Sequence, residues 1–328
     1  MAAYILSTGS FLPEKKIANS DLFQFPENAR ALIEAKTGIK SRRHVSEGVN
    51  CSDVALEAAR NCLAKASIDP KDIDAVLCAT STPDRPIPAT ATKIAAKLGA
   101  SKALGFDINS VCSGGLILLS VARAMINGGG CSNILVVAAD LYSRILDPYS
   151  FSTYPYFGDG AGAALISSKI GEVEILDGCF HSDGSAYDVI TLKAGGSELP
   201  AHSVENKNDC YFKMDGKRVF AFATTRAPEV IKEEISKIGI DKEEILSVVV
   251  HQANVNIIDK ISMETGIPRD LFFENLTEYG NTAGASCMIA LDECLRFSKF
   301  NRSGYIIMAA FGGGLTWGAV SLRINKGK

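Results

Sequence analysis

The chain is poor in several kinds of residue. Of its 328 residues one is tryptophan and four are histidine (His44, His181, His202, His251), and its nine cysteines form no Cys-x-x-Cys pair. So few imidazoles and no paired thiols leave little material for a zinc or dithiol redox site, and no metal is expected. Long apolar runs are absent too. A stretch such as Ile134–Ala139 (ILVVAA) is far too short to cross a bilayer, so no membrane partner is expected. The formal net charge of −3 gives no excess of positive charge to bind nucleic acid or an anionic surface. The opening segment MAAYILSTGSFLPEKK lacks the basic start and the apolar length of a signal peptide. Unpatterned cysteines without an export signal suit a reducing compartment, so the expected location is cytoplasmic. What is plentiful is apolar material: 47% hydrophobic against 22% charged residues, the balance of a soluble globular chain with a large core.

That apolar material alternates between two periods. Asp53–Ala66 and Thr90–Leu98 repeat their apolar residues every three to four positions and predict helices. Ile73–Thr80, Ala103–Asn109 and Asn133–Ala139 are short, β-branched and apolar, and predict buried strands. Strand–helix alternation of this kind is the pattern of an α/β fold. The pattern also occurs twice. LAKASIDPKDIDAVLC (from Leu63) aligns without gaps on ISKIGIDKEEILSVVV (from Ile235), an offset of 172; ILVVAA (from Ile134) matches YIIMAA (from Tyr305) at 171, and GAALI (from Gly162) matches GAVSL (from Gly318) at 156. Three matches in one order point to two pseudo-twofold-related halves, residues 1–170 and 171–328, with an extra loop near Tyr142–Tyr156 in the first. In this register Cys112 falls opposite Ala283, two residues past Asn281.

The chemistry gathers where predicted strands end. Cys112 stands between the Ala103–Asn109 strand and a predicted helix from Ser113 to Asn127. Free amides at a helix start favour a thiolate, the form that attacks carbonyls, and Ser113, Gly114 and Gly115 leave space beside the sulfur. His251 ends the apolar strand LSVVV, where an imidazole can serve as acid, base or hydrogen-bond donor. Asn281 lies in YGNTAGAS before a predicted Cys287–Phe297 helix, as either a helix cap or a neutral donor to developing charge. FGDGAG (Phe157–Gly162) and FGGGLTWG (Phe311–Gly318) read as glycine-rich turns, the latter between two strands. His44, inside the charged run SRRH, reads as solvated, and His181 and His202 as loop residues. Cys62, Cys78 and Cys294 read as core.

With these motifs in order, TGIKSRRH (Thr37–His44), DINSVCSGG (Asp107–Gly115), FGDGAGAAL (Phe157–Leu165), HQAN (His251–Asn254), GNTAGAS (Gly280–Ser286) and FGGGLTWG, the chain resembles the β-ketoacyl-acyl-carrier-protein synthase III family of thiolase-like condensing enzymes. The resemblance spans nearly the whole chain. It implies a five-layer αβαβα fold, a homodimer, a Cys112–His251–Asn281 triad, and an oxyanion hole made by the backbone N–H groups of Cys112 and Gly314. It also implies the reaction: Cys112 takes an acyl group from acyl-CoA and a malonyl-acyl-carrier-protein, or another malonyl thioester, condenses with it after losing carbon dioxide. No cofactor beyond these thioesters is implied.

The resemblance places Leu32, Ile87, Phe151, Phe157, Asn254 and Asn256 at the substrate site, and four of them depart from its pattern. Leu32 stands where the family commonly has a tryptophan that stacks on the CoA adenine, and Phe151 where an arginine commonly completes that stack. Asn256 replaces the arginine of HQAN-x-Arg, a contact to the acidic carrier protein, and Ile87 replaces a phenylalanine that caps the partner's acyl pocket. Lys207, Lys213, Lys217, Arg218 and Lys260 remain as basic contacts. These changes raise the alternative of a specialised enzyme of secondary metabolism that passes the acyl group to a different acceptor. Two relatives with other chemistry are set aside: the hydroxymethylglutaryl-CoA synthases, whose glutamate base is replaced near Ser81, and the thiolases, whose second cysteine is missing from FGGGLTWG.

Overall fold

Residues 133–141 show how this chain builds its interior. Ile134, Val136 and Ala138 pack into one apolar core and Leu135, Val137 and Ala139 into another, so the strand is buried on both faces. A sheet covered by helices on each side accounts for this. The computed structural model, which describes residues 2–326, has that architecture.

In chain order the elements are β1 (Ala3–Phe11), β2 (Lys16–Ala18), α1 (Glu27–Thr37), β3 (Ser41–Arg43), α2 (Cys51–Ala66), β4 (Ala75–Ala79), α3 (Thr90–Leu98), β5 (Leu104–Ile108), α4 (Gly114–Asn127), β6 (Asn133–Leu141), β7 (Asp159–Ser167) and β8 (Val173–Ser182). There follow β9 (Ile190–Thr191), β10 (Lys213–Met214), α5 (Gly216–Ile238), β11 (Ile245–Val250), α6 (Val255–Thr265), α7 (Leu276–Tyr279), α8 (Ser286–Phe297), β12 (Gly304–Gly312) and β13 (Thr316–Ile324). Nine strands form one sheet in the order β11-β12-β13-β8-β1-β7-β6-β4-β5. Two short hairpins, β2 with β3 and β9 with β10, lie outside it.

The strand order reads alike from its centre outward. On one side β1 is followed by β7, β6, β4 and β5; on the other β8 is followed by β13, β12 and β11. Only the last position differs. Where β5 pairs with β4 over five residue pairs, β11 has a single parallel bridge, Val248 to Phe272. The pairing of β1 with β8, Ala3 opposite Ile175, joins the two half-sheets. Helices α2 and α3 cover the outer face of the first half-sheet and α5 and α6 that of the second, while α4 and α8 lie between them. Those are the five layers expected, helices and half-sheets alternating.

The matching elements refine the register. The short 3₁₀ turns Val111–Ser113 and Ala283–Ala285 begin with the same unusual backbone, φ +46° at Val111 and +48° at Ala283. Helices α4 and α8 then start at 114 and 286. The offset of 172 therefore holds here, and Ala283 matches Val111, not Cys112. Cys112 lies opposite Gly284, and Asn109 opposite Asn281. A second revision concerns FGDGAG. It is not a turn: Asp159–Ser167 is a strand buried along its length, entered through Phe157 and Gly158. The extra loop between the strands is present, since β6 ends at Leu141 and β7 starts at Asp159, against three residues between β12 and β13.

Candidate active site

Cys112 is held by a strained turn. Ser110 leaves β5, Val111 takes a left-handed φ that a β-branched residue avoids, and the chain turns at once into α4. The turn aims Cys112 across the molecule at the end of β12, where Gly312 faces it. A methyl carbon placed on Gly312 would sit 2.9 Å from both the N and the Cβ of Cys112. Any side chain there would push the two segments apart.

The second half supplies the other groups. His251 follows the last residue of β11; its N–H bonds the Ala309 carbonyl (2.8 Å), its Nδ1 lies 2.6 Å from Ser286 Oγ, and its ring meets Phe311 edge-on at 5.2 Å. Asn281 is fixed on both sides of its peptide, its N–H donating to Tyr156 O (2.8 Å) and its carbonyl accepting from Gly158 N (2.9 Å). Its Oδ1 accepts from Ala283 N (2.9 Å), which leaves the NH₂ of the side chain to face outward as a donor. Cys112, His251 and Asn281 all line one cavity of about 650 Å³. The halves are thus joined at the site, with the thiol from one and the imidazole and carboxamide from the other.

Burial sets the charges. It pushes the Cys112 thiol well up from its ordinary range, with Asp140 adding to the effect, so burial outweighs the thiolate that a helix start favours. Burial brings His251 down to about 3, so it is a neutral imidazole at neutral pH. Asp140, fully buried at the end of β6, is raised to about 6, again by burial, although it accepts from Ser81 N (2.8 Å), Ser81 Oγ (2.9 Å) and Gly284 N (2.9 Å). That last bond ties the first half to the turn that follows Asn281.

The remaining predicted residues divide. Phe157 is buried on the cavity wall, stacked on Tyr142 at 4.9 Å and edge-on to Phe212 at 5.2 Å. Asn254 and Asn256 also reach the wall; Asn254 caps α6, and Asn256 Nδ2 donates to Lys36 O (2.7 Å) at the end of α1. Leu32, Phe151 and Ile87 do not reach it. Leu32 is 45% and Ile87 83% exposed, and Phe151 packs edge-on against Phe25 at 5.2 Å. Gly314 belongs to the β12–β13 turn, with φ +134°, and Gly312, the last residue of β12, is on the cavity wall. Of the basic residues, Lys213, Arg218 and Lys260 each stand within 4 Å of a carboxylate, those of Asp209, Asp188 and Glu264.

Two readings of histidine change. His44 is not solvated: it is buried, its Nε2 3.1 Å from the Phe157 carbonyl, beside the fully buried Arg42. His181 lies on β8, not in a loop, and pairs with Glu233 at 2.8 Å. The sequence also gave no sign of Tyr142, Ile190, Phe212 and Phe220 on the cavity wall. They come from four separate places, the residue after β6, strand β9, the residue before β10 and the first turns of α5, and none belongs to a recognisable motif.

A sulfur, an imidazole and a carboxamide meeting over the centre of a duplicated αβαβα fold define the thiolase-like class. Comparison with known proteins is more specific. The family model for 3-oxoacyl-[acyl-carrier-protein] synthase III matches residues 106–184, and the model for the C-terminal part of the same family matches residues 235–324. The chain is 40% identical over 324 residues to a β-ketoacyl-[acyl-carrier-protein] synthase III from Streptomyces coelicolor, covering 98% of this chain and 97% of that protein. It is 39% identical to the synthase III of Chlamydia caviae, covering 99% and 98%. Among solved structures it superposes on 3-oxoacyl-[acyl-carrier-protein] synthase III from Aquifex aeolicus with a TM-score of 0.89 at 35% identity, covering 98% of this chain and 99% of that one. It also superposes on the priming β-ketosynthase of the R1128 polyketide pathway with a TM-score of 0.90 at 30% identity, covering 99% and 96%. The chain belongs to the 3-oxoacyl-[acyl-carrier-protein] synthase III family.

Proposed function

We propose that the protein is a condensing acyltransferase whose nucleophile is Cys112 and whose decarboxylation donors are His251 and Asn281. The observation that carries this reading is the convergence of the three side chains, from opposite halves, on one largely apolar cavity. In the first step the Cys112 sulfur attacks the carbonyl of an acyl-CoA. The C–S bond to CoA breaks as the new thioester forms, and the proton of the Cys112 thiol ends on the departing CoA sulfur. The amides at the start of α4 stabilise the negative sulfur during attack, when the substrate has displaced water.

In the second step a malonyl thioester, carried by an acyl-carrier protein, loses its carboxylate as carbon dioxide. The electron pair left behind forms an enolate, whose oxygen takes hydrogen bonds from His251 and from the Asn281 NH₂. A neutral imidazole can fill this role through the one ring N–H it keeps. The enolate carbon attacks the acyl-Cys112 carbonyl, the resulting oxyanion rests on the backbone N–H groups of Cys112 and Gly314, and the intermediate collapses to a β-ketoacyl product. The sulfur leaves as thiolate and recovers its proton from solvent. Every step is supplied by these side chains and the two thioesters, without a cofactor. Among the described residues no helix is long and apolar enough to cross a membrane, which suits a cytoplasmic enzyme. A homodimer would place Ile87, exposed in the single chain, against a partner. Residues 1–170 and 171–328 are proposed as the two halves, the first bearing the nucleophile and the second its donors.

A second acceptor is favoured by one observation. Leu32 and Phe151 put no stack or charge at the cavity for a nucleotide, and Asn256 is engaged with Lys36, so the contacts that would fix the usual substrates are altered. One experiment separates the readings. Intact-mass measurement after incubation with a series of acyl-CoAs should show an adduct in the wild type and none in Cys112→Ala; an adduct that persists in the variant refutes the mechanism. Adding malonyl-acyl-carrier-protein should discharge the adduct with release of carbon dioxide. Discharge only by other acceptors, with no carbon dioxide, would establish the specialised reading.

A further inference from the structure

The imidazole of His251 has two nitrogens, and the mechanism needs a proton on the one that faces substrate. Nδ1 is 2.6 Å from Ser286 Oγ, so Nε2 is the nitrogen turned to the cavity that His251 lines. Which nitrogen carries the proton follows from the hydroxyl. Ser286 is buried, and its Oγ already accepts from the Gln252 backbone N–H at 3.4 Å. Among the described residues the N and O partners of Ser286 Oγ are that N–H and His251 Nδ1, with the Cys287 thiol beside it. If Nδ1 carried the proton it would donate to the same oxygen, and the hydroxyl hydrogen would be left buried with no better acceptor than the weakly accepting Cys287 sulfur. If the hydroxyl donates to a bare Nδ1, every group is satisfied.

Resting on the proposed function, we infer that Ser286 is a positioning residue that donates to Nδ1 of His251 and so keeps the imidazole proton on Nε2, aimed at the substrate oxygen. The edge of Phe311, 5.2 Å away, and the His251 N–H bond to Ala309 O hold the ring against rotation about this contact. Ser286 lies at the first position of α8, five residues after Asn281, so the turn that carries one donor also orients the other. His251 is on this account a committed donor and not a general base, and Ser286 should act on enolate formation without acting on the attack by Cys112.

The test reads the proton itself and then its consequence. In wild-type protein labelled with ¹⁵N-histidine, the His251 signals, assigned by their loss in His251→Gln, should show a protonated Nε2 and an unprotonated Nδ1 at neutral pH. The opposite tautomer overturns the inference, whatever the behaviour of any variant. Ser286→Ala should slow carbon dioxide release from malonyl-acyl-carrier-protein by about a hundredfold, the loss typical of one misdirected donor. Acyl transfer to Cys112 should proceed near the wild-type rate, and Ser286→Thr, which keeps the hydroxyl, should restore release. Equal loss of both steps in Ser286→Ala, or no loss in either, would overturn it. Failure of the wild type to acylate at all would refute the function proposed above and leave the tautomer measurement standing by itself.

Discussion

Replacing Gly312 by alanine perturbs the contact that sets Cys112 in place. Gly312 has an ordinary backbone angle, so the new methyl costs nothing in φ; what it meets is the Cys112 backbone, with N and Cβ at 2.9 Å and Cα at 3.3 Å. Carbon contacts relax near 3.5–4.0 Å, so β12 and the 111–113 turn must separate by roughly half an ångström or more. Neither has a soft direction. The turn is already strained at Val111, and β12 is paired with β11 on one side and β13 on the other. Overpacking of this kind costs about 1–3 kcal/mol of stability. The larger effect is on geometry: a misplacement approaching 1 Å lowers a positioned reaction by about a hundredfold. Gly312→Ala should therefore melt a few degrees low and acylate some ten- to a hundredfold more slowly, read by thermal melting and by stopped-time intact mass. Gly313→Ala is the control, because its methyl would meet Val111 Cγ2 at 3.1 Å and Ile190 at 3.4 Å, both side-chain atoms able to shift. If Gly312→Ala acylates as fast as wild type, the close approach does not position the sulfur and the reasoning fails.

Further outcomes follow from burial and charge. His251, at about 3 in the fold against 6.5 unfolded, cannot take the proton that the unfolded chain binds as pH falls below 6.5, so stability should drop by about 1.4 kcal/mol per pH unit for this one group; denaturation midpoints of His251→Gln should show a shallower loss than wild type between pH 6 and 4. Arg42, fully buried, donates to Ile17 O, Asn19 Oδ1 and Pro155 O, and Arg42→Ala should cost about 3 kcal/mol or more in urea unfolding by orphaning those acceptors and leaving a void. Phe212→Ala trims the aromatic group around Phe157 and Tyr142, and should move acyl-CoA preference toward longer chains in a kcat/KM series. An unchanged length preference would place the acyl chain elsewhere in the cavity.

Much of this was legible because the chemistry sits where periodicity changes. Cys112 and His251 stand at ends of apolar strands, and Asn281 at the mouth of a helix, so pattern marked each as a candidate, and the family resemblance joined them as a triad. The repeat pointed to two related halves, and the resemblance gave their five-layer arrangement. What pattern could not supply was depth. SRRH looks like a solvated stretch, yet Arg42 and His44 are buried, because backbone carbonyls of distant segments, Pro155 and Phe157 among them, satisfy them. Glycines misled in the same way. FGDG reads as a turn, but Gly158 and Gly162 are needed where Tyr279 O and the start of α8 come within 2.7 Å of any added carbon. Likewise the thiolate expected from the helix start ignored the burial that opposes it.

The register of the repeat has a consequence for how many nucleophiles one chain can hold. The two halves use the same left-handed turn before a central helix, and the position equivalent to Cys112 is Gly284. A carbon added there would lie 2.8 Å from the Val111 carbonyl oxygen and 2.9 Å from Asp140 Oδ2. The turn that carries the sulfur occupies the space a second sulfur would need. Symmetry is thus broken by volume: loading one elbow of the duplicated fold excludes a side chain from the other, and each chain has room for a single thiol at this junction.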